Sequence, residues 1–161
     1  MLSKKPTPKS VLGMDVGRRR IGLAGCDPLG ITITPLPAIQ RKTFEHDIKL
    51  LKRQCLLRSV EGLIAGIPLD SRGLPTKQSK FCRHYAQKVS IALEVPLALV
   101  NEHSSTWAAS HRFSLQKDKS GELDSASAMV LVEQWLKEGP EVMPVKLTTF
   151  PNSELACDGE S

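Results

Sequence analysis

From Ser10 onward, short apolar runs alternate with polar breaks. "VLGMDV" reads as a buried strand, "RRRIGLAGCD" as a second, and "GITITPLPAI" as a third whose prolines place it at a sheet edge or at a strand ending. The Gly and charged residues at 16–19 and 27–30 suit tight hairpin connections, so these three strands form an antiparallel meander. "TFEHDIKLLKRQCLLRSV" then changes to helical period, with Phe44, Ile48, Leu51 and Cys55 on one face and Thr43 as the cap. "GLIAGIP" is a fully apolar strand. "KQSKFCRHYAQKVSIALEV" is a helix that turns Phe81, Tyr85, Val89 and Ala92 inward, and "PLALVNE" is a strand ending in a carboxylate. "STWAASHRFSL" and "LDSASAMVLVEQWLKEG" read as two further helices on either side of the loop "QKDKSGE".

Strand, helix, strand repeats after a meander predict an α/β fold: a mixed sheet, three strands antiparallel and then parallel ones, flanked by helices. Residues 1–9 are expected to be a disordered basic arm, 10–139 the folded domain, and 140–161 an acidic, flexible tail without usable periodicity. With 161 residues, 40% apolar and 4% aromatic, the chain has one domain's length and a core of aliphatic residues. No apolar run reaches a membrane span and no secretory signal is evident, which gives a cytoplasmic expectation. Cys26, Cys55, Cys82 and Cys157 are too scattered for a zinc knuckle or a disulfide framework and read as free thiols. Residues 1–120 carry 20 Lys or Arg against 9 acids, whereas residues 121–161 carry 2 against 8. A basic body of this kind attracts polyanions, nucleic acid above all.

Against that background three acids stand out. Asp15 sits in the apolar first strand, Glu102 closes the last one, and Asp124 lies on the helix face that also carries Ala128, Leu131 and Trp135. Each has an ordinary reading as a turn or helix-terminus acid. Together, at one end of a small sheet, they repel one another unless a cation neutralises them. Oxygen ligands without His or Cys suit Mg²⁺ or Mn²⁺, and a pair of such ions can activate a water and stabilise the leaving oxygen in phosphodiester hydrolysis. A metal-dependent nuclease follows as the expectation.

The stretches "MDVGRRRIGLAGCDPLGITITPLPAI", "GLIAGIPLDSRG", "PLALVNEHSSTWAA" and "ELDSASAMVLVEQWL" resemble the YqgF (RuvX) family of ribonuclease H-like proteins. That family is described both as Holliday junction resolvases and as pre-16S rRNA nucleases. The resemblance implies a ribonuclease H-like sheet and a hydrolase acting on ester bonds, with Asp15, Glu102 and Asp124 as catalytic metal ligands. It further implies cytoplasmic 5′-end maturation of pre-16S rRNA in ribosome biogenesis, or action on branched four-way DNA. Arg20 and Thr106 match family positions and are candidates for substrate binding or for supporting the ligands; Asp70 and Arg72 fall in a loop beside the site. Where the family often reads Asp-Glu-Arg, this chain has Asn101, Glu102 and His103, which removes a phosphate-contacting Arg. Two rivals remain: a non-catalytic nucleic-acid-binding protein on the same fold, and an actin-like ATPase, whose phosphate loop "DVGRRRIGLA" also resembles. The latter closes two related domains, and this chain has no internal repeat.

Overall fold

The computed structural model describes residues 5–102 and 122–145. Five strands, β1 Val11–Val16, β2 Arg20–Cys26, β3 Ile33–Gln40, β4 Gly62–Ile67 and β5 Leu97–Asn101, form one sheet in the order β3-β2-β1-β4-β5. The β1/β2 and β2/β3 pairs are antiparallel; β1/β4 and β4/β5 are parallel. This is the mixed sheet predicted from the order of elements, with the proline-containing β3 at one edge.

Helices α1 (Phe44–Arg58) and α2 (Lys77–Leu93) contribute to the core on one face, and α3 (Glu122–Glu138) covers the other. Thr43 caps α1 by accepting from the His46 amide at 3.1 Å, and Thr76 and Ser79 form a reciprocal capping box on α2. On α1, Leu51 is fully buried with Phe44, Ile48 and Cys55 packed beside it, as the helical period requires. On α2 the expected inward stripe needs one correction. Phe81 is half-buried, Tyr85 and Val89 are buried, but Ala92 is exposed and Leu93 packs on the core instead. Leu93 lies about 40° from Val89 around the helix, whereas Ala92 lies about 60° to the other side.

Strand alternation splits the core in two. Leu12, Met14 and Val16 of β1 join Leu63, Ala65, Leu51, Tyr85 and Val89 on the α1/α2 face. Val11 of β1, with Ala24, Cys26, Ile64, Ala98 and Val100, meets Ala128, Leu131, Val132 and Trp135 of α3. Gly13 lets α3 come close: a Cβ there would stand 2.5 Å from Val132 Cγ2 and 3.1 Å from the Ala128 carbonyl oxygen.

After α3 the chain turns back at Gly139, which adopts a positive φ of 75°, and the Trp135 indole N–H donates to the Pro140 carbonyl at 2.6 Å. Met143 then exchanges two backbone hydrogen bonds with Leu97, covering part of the outer edge of β5. Cys26, Cys55 and Cys82 are free thiols; Cys157 lies outside the described residues. Among the described residues no helix is long and apolar enough to cross a membrane.

Candidate active site

Asp15 is the penultimate residue of β1, and it is half-buried. Alternation with Val11 and Gly13 sets it on the α3 face. Glu102 follows β5 directly, its amide donating to the Ile67 carbonyl at 3.1 Å, and it continues the Ala98, Val100 series on the same face. Since β4 lies between β1 and β5, the two acids are on strands about 10 Å apart. Gly66 closes that gap. Met14 is level with Ala65, so Asp15 is level with Gly66, and Gly66 in turn pairs with Val100. With no side chain at Gly66, Glu102 leans over β4: its Oε1 lies 3.0 Å from where a Gly66 Cβ would be, beside Leu131 of α3.

The electrostatics agree with this approach. Burial first, and then the charge of Asp15, together push the Glu102 carboxyl from its ordinary 4.5 up to about 8. The same two carboxylates, after burial itself, help hold the Cys82 thiol up at about 12. Cys82 lies in the opposite core layer, its Sγ 3.4 Å from the Val16 carbonyl, and is a buried, inert thiol.

Asp124 lies in the first turn of α3. Its side chain is outside the described residues, but the backbone course of the helix is clear. Ser125 Oγ donates to the Leu36 carbonyl at 2.6 Å, Ala128 packs on Gly13, and Leu136 reaches Gly30 at the far hairpin. The N-terminal turn of α3 therefore lies toward the end of β1 that carries Asp15. Ala128, Leu131 and Trp135 are fully buried on the sheet, the face that the sequence assigned to them. Among the described residues no group of three or more His, Cys, Asp or Glu side chains converges as a ligand set; the pair Asp15 and Glu102 is what the described residues bring together. The donor chemistry of that pair fits a hard divalent cation, because a partly buried carboxylate whose proton affinity is raised by a second one beside it is relieved by a positive charge between the two.

The remaining candidates differ. Arg20 opens β2, half-buried, and its carbonyl accepts from the Gly17 amide at 2.9 Å in the β1/β2 turn. By alternation with Gly22 and Ala24 it stands on the α3 face, one strand over from Asp15. Thr106 and His103 lie outside the described residues. Asn101 is exposed and its carbonyl accepts from Gln134 Nε2 at 2.6 Å. Asp70 shapes its own loop: its Oδ1 accepts from the Arg72 and Leu74 amides at 2.9 and 2.8 Å, and its other oxygen is 3.9 Å from Arg72 Nη2. Reasoning from the sequence missed Gly66, although a glycine inside an apolar strand is a known sign of close approach by a neighbour.

The model of the RuvX family, described as "Holliday junction resolvase", matches residues 9–138. The chain belongs to the RuvX family. A Prochlorococcus marinus (strain MIT 9313) protein named "Putative pre-16S rRNA nuclease" is 57% identical over 161 residues, the full length of both chains. A Synechococcus sp. (strain CC9605) protein of the same name is 54% identical over 98% of this chain and 99% of its own. Among solved structures, T. thermophilus RuvC in complex with a Holliday junction substrate superposes with a TM-score of 0.52 at 12% identity, covering 79% of this chain and 93% of that one. At that identity the likeness concerns the fold, and it places this RuvX sheet in the ribonuclease H-like class.

Proposed function

We propose that this RuvX chain is a metal-dependent nuclease that hydrolyses phosphodiester bonds in the 5′-end maturation of a 16S rRNA precursor. The observation that carries the reading is the leaning of Glu102 over Gly66 toward Asp15. The RNA assignment rests on end-to-end relatives above 50% identity rather than on the broader family description.

In this reading Asp15 and Glu102, joined by Asp124 from the first turn of α3, hold Mg²⁺ or Mn²⁺. When bound, the divalent ion supplies Lewis-acid stabilisation of charge developing on the phosphoryl oxygens and a nucleophilic water at neutral pH. Asp15 is held by the ladder of β1, so its carboxylate has a fixed direction. Glu102 gives up its proton when it becomes a ligand, which couples cation binding to pH. Leu131 and Val132 exclude water from the floor of the site. Arg20, on the same face, is placed to contact the substrate backbone.

The test is cleavage of a 16S precursor 5′ segment and of a four-way DNA junction with Mg²⁺ or Mn²⁺, wild type beside Asp15→Asn. Loss of several kcal/mol of charge stabilisation lowers the rate by roughly 100-fold or more in the variant. Full activity in Asp15→Asn removes the assignment. Cleavage of the junction alone moves the substrate to branched DNA, and salt-sensitive binding without cleavage of either leaves a binding protein.

A further inference from the structure

A second charged region lies at the same end of the sheet, on the opposite face. Arg18 from the β1/β2 turn, Arg41 and Lys42 just after β3, and Lys77, the first residue of α2, line a cavity of about 520 Å³ together with Gln78 and Phe81. No acid lines it. Among the described residues the side chains of Arg18, Lys42 and Lys77 form no ion pair.

Arg41 is fixed from several sides. Its Nη1 donates to the Gly17 carbonyl at 2.9 Å and its amide to the Arg19 carbonyl at 2.8 Å. Its guanidinium lies 4.4 Å from the Tyr85 ring centroid and 5.2 Å from that of Phe81. Behind it stands Asp47, fully buried on α1, with Oδ2 3.8 Å from Arg41 Nε. Asp47 also accepts from the Tyr85 hydroxyl and the Lys42 amide, both at 3.1 Å, and its Oδ1 is 3.1 Å from His46 Nδ1. Asp47 is thus engaged in holding Arg41 and the Lys42 backbone, while the cations face an open cavity. Four cations gathered from three separate segments repel one another, and an anion relieves that cost.

We propose that this cavity is a phosphate subsite for the sugar-phosphate backbone of the substrate strand, across the β1/β2 turn from the carboxylates. The Arg fork matches two phosphate oxygens, and the lysines add charge without directional demand. Asp15 and Arg18 are three residues apart, at most about 10 Å of chain, a span that a few nucleotides of a strand cover. A strand laid over Gly17–Arg19 meets both sites within a few nucleotides. The subsite rests on the reading that the substrate is a nucleic acid; it does not require that Asp15 and Glu102 hold a metal.

The experiment measures anisotropy of a fluorescent 16S-precursor 5′ segment in EDTA across a salt series, with the full chain. Its variants are Lys42→Ala/Lys77→Ala, Lys42→Arg/Lys77→Arg, and the charge-matched control Lys52→Ala/Arg53→Ala on the exposed side of α1. Removing two phosphate contacts weakens binding by about 10-fold or more near 0.1 M salt and lowers the salt slope by about 2. The arginine pair restores both, and the control stays close to wild type. All four proteins should melt within a few degrees of one another, which separates lost contacts from lost folding. Alanine variants that bind with wild-type affinity and slope overturn the subsite, as does a control that loses equally. Wild type that does not bind overturns it together with the nucleic-acid reading, whereas expected binding without metal-dependent cleavage upholds the subsite and rejects only the nuclease.

Discussion

The two faces of β1 make opposite use of neighbouring residues. Leu12, Met14 and Val16 fill a close-packed core against α1 and α2, where volume decides the outcome. Val11, Gly13 and Asp15 face α3 and trade volume for approach: a glycine lets the helix backbone close in, and the next residue on that face is a carboxylate. β4 repeats the arrangement, with Leu63, Ala65 and Ile67 on one side and Ile64 and Gly66 on the other. The carboxylate site is therefore built as much by the missing side chain of Gly66 as by the acids it brings together.

Substitutions at three consecutive positions break this comparison most forcefully. Met14→Ala leaves a cavity in the α1/α2 core and should cost about 2–5 kcal/mol in denaturant unfolding. Gly13→Ala overpacks the α3 face against Val132 and the Ala128 carbonyl and should cost about 1–3 kcal/mol. Asp15→Asn should leave stability within about 1 kcal/mol, or raise it without divalent ions, because it removes the repulsion on Glu102. An Asp15→Asn loss as large as that of Met14→Ala would make Asp15 a packing residue.

A smaller effect follows from Glu102. Its carboxyl is raised to about 8 when folded and returns to about 4.5 when unfolded. Between those values the folded protein binds the additional proton, so stability in EDTA is greatest at the acidic end and falls as pH rises toward 8. Allowing for partial exposure, the fall is on the order of 2 kcal/mol. Thermal melts from pH 5 to 8 should show it in wild type and lose it in Glu102→Gln; parallel profiles for the two proteins would mean that Glu102 is not the group responsible.

Much of the frame was legible because it is local. Periodicity marked α1 and its Thr43 cap, Pro-containing β3 went to an edge, and the acids Asp15 and Glu102 stood out against apolar strands. What could not be read was the lateral order of the strands. Nothing in "GLIAGIP" says that it lies between β1 and β5, so Gly66 carried no visible role. The basic cavity was equally hidden, since Arg18, Arg41 and Lys77 are far apart in sequence and meet only through the β1/β2 turn and α2. Ala92 failed because the last turn of α2 rotates it off the sheet.

The central claim is that Asp15 and Glu102 share a divalent cation on the α3 face. Its most direct test is Mn²⁺ binding at pH 8, followed by loss of the free-ion electron paramagnetic resonance signal, in wild type, Asp15→Asn and Glu102→Gln. The account predicts saturable binding in wild type, weakened at least about tenfold by either substitution. Unchanged Mn²⁺ affinity in both variants would contradict it.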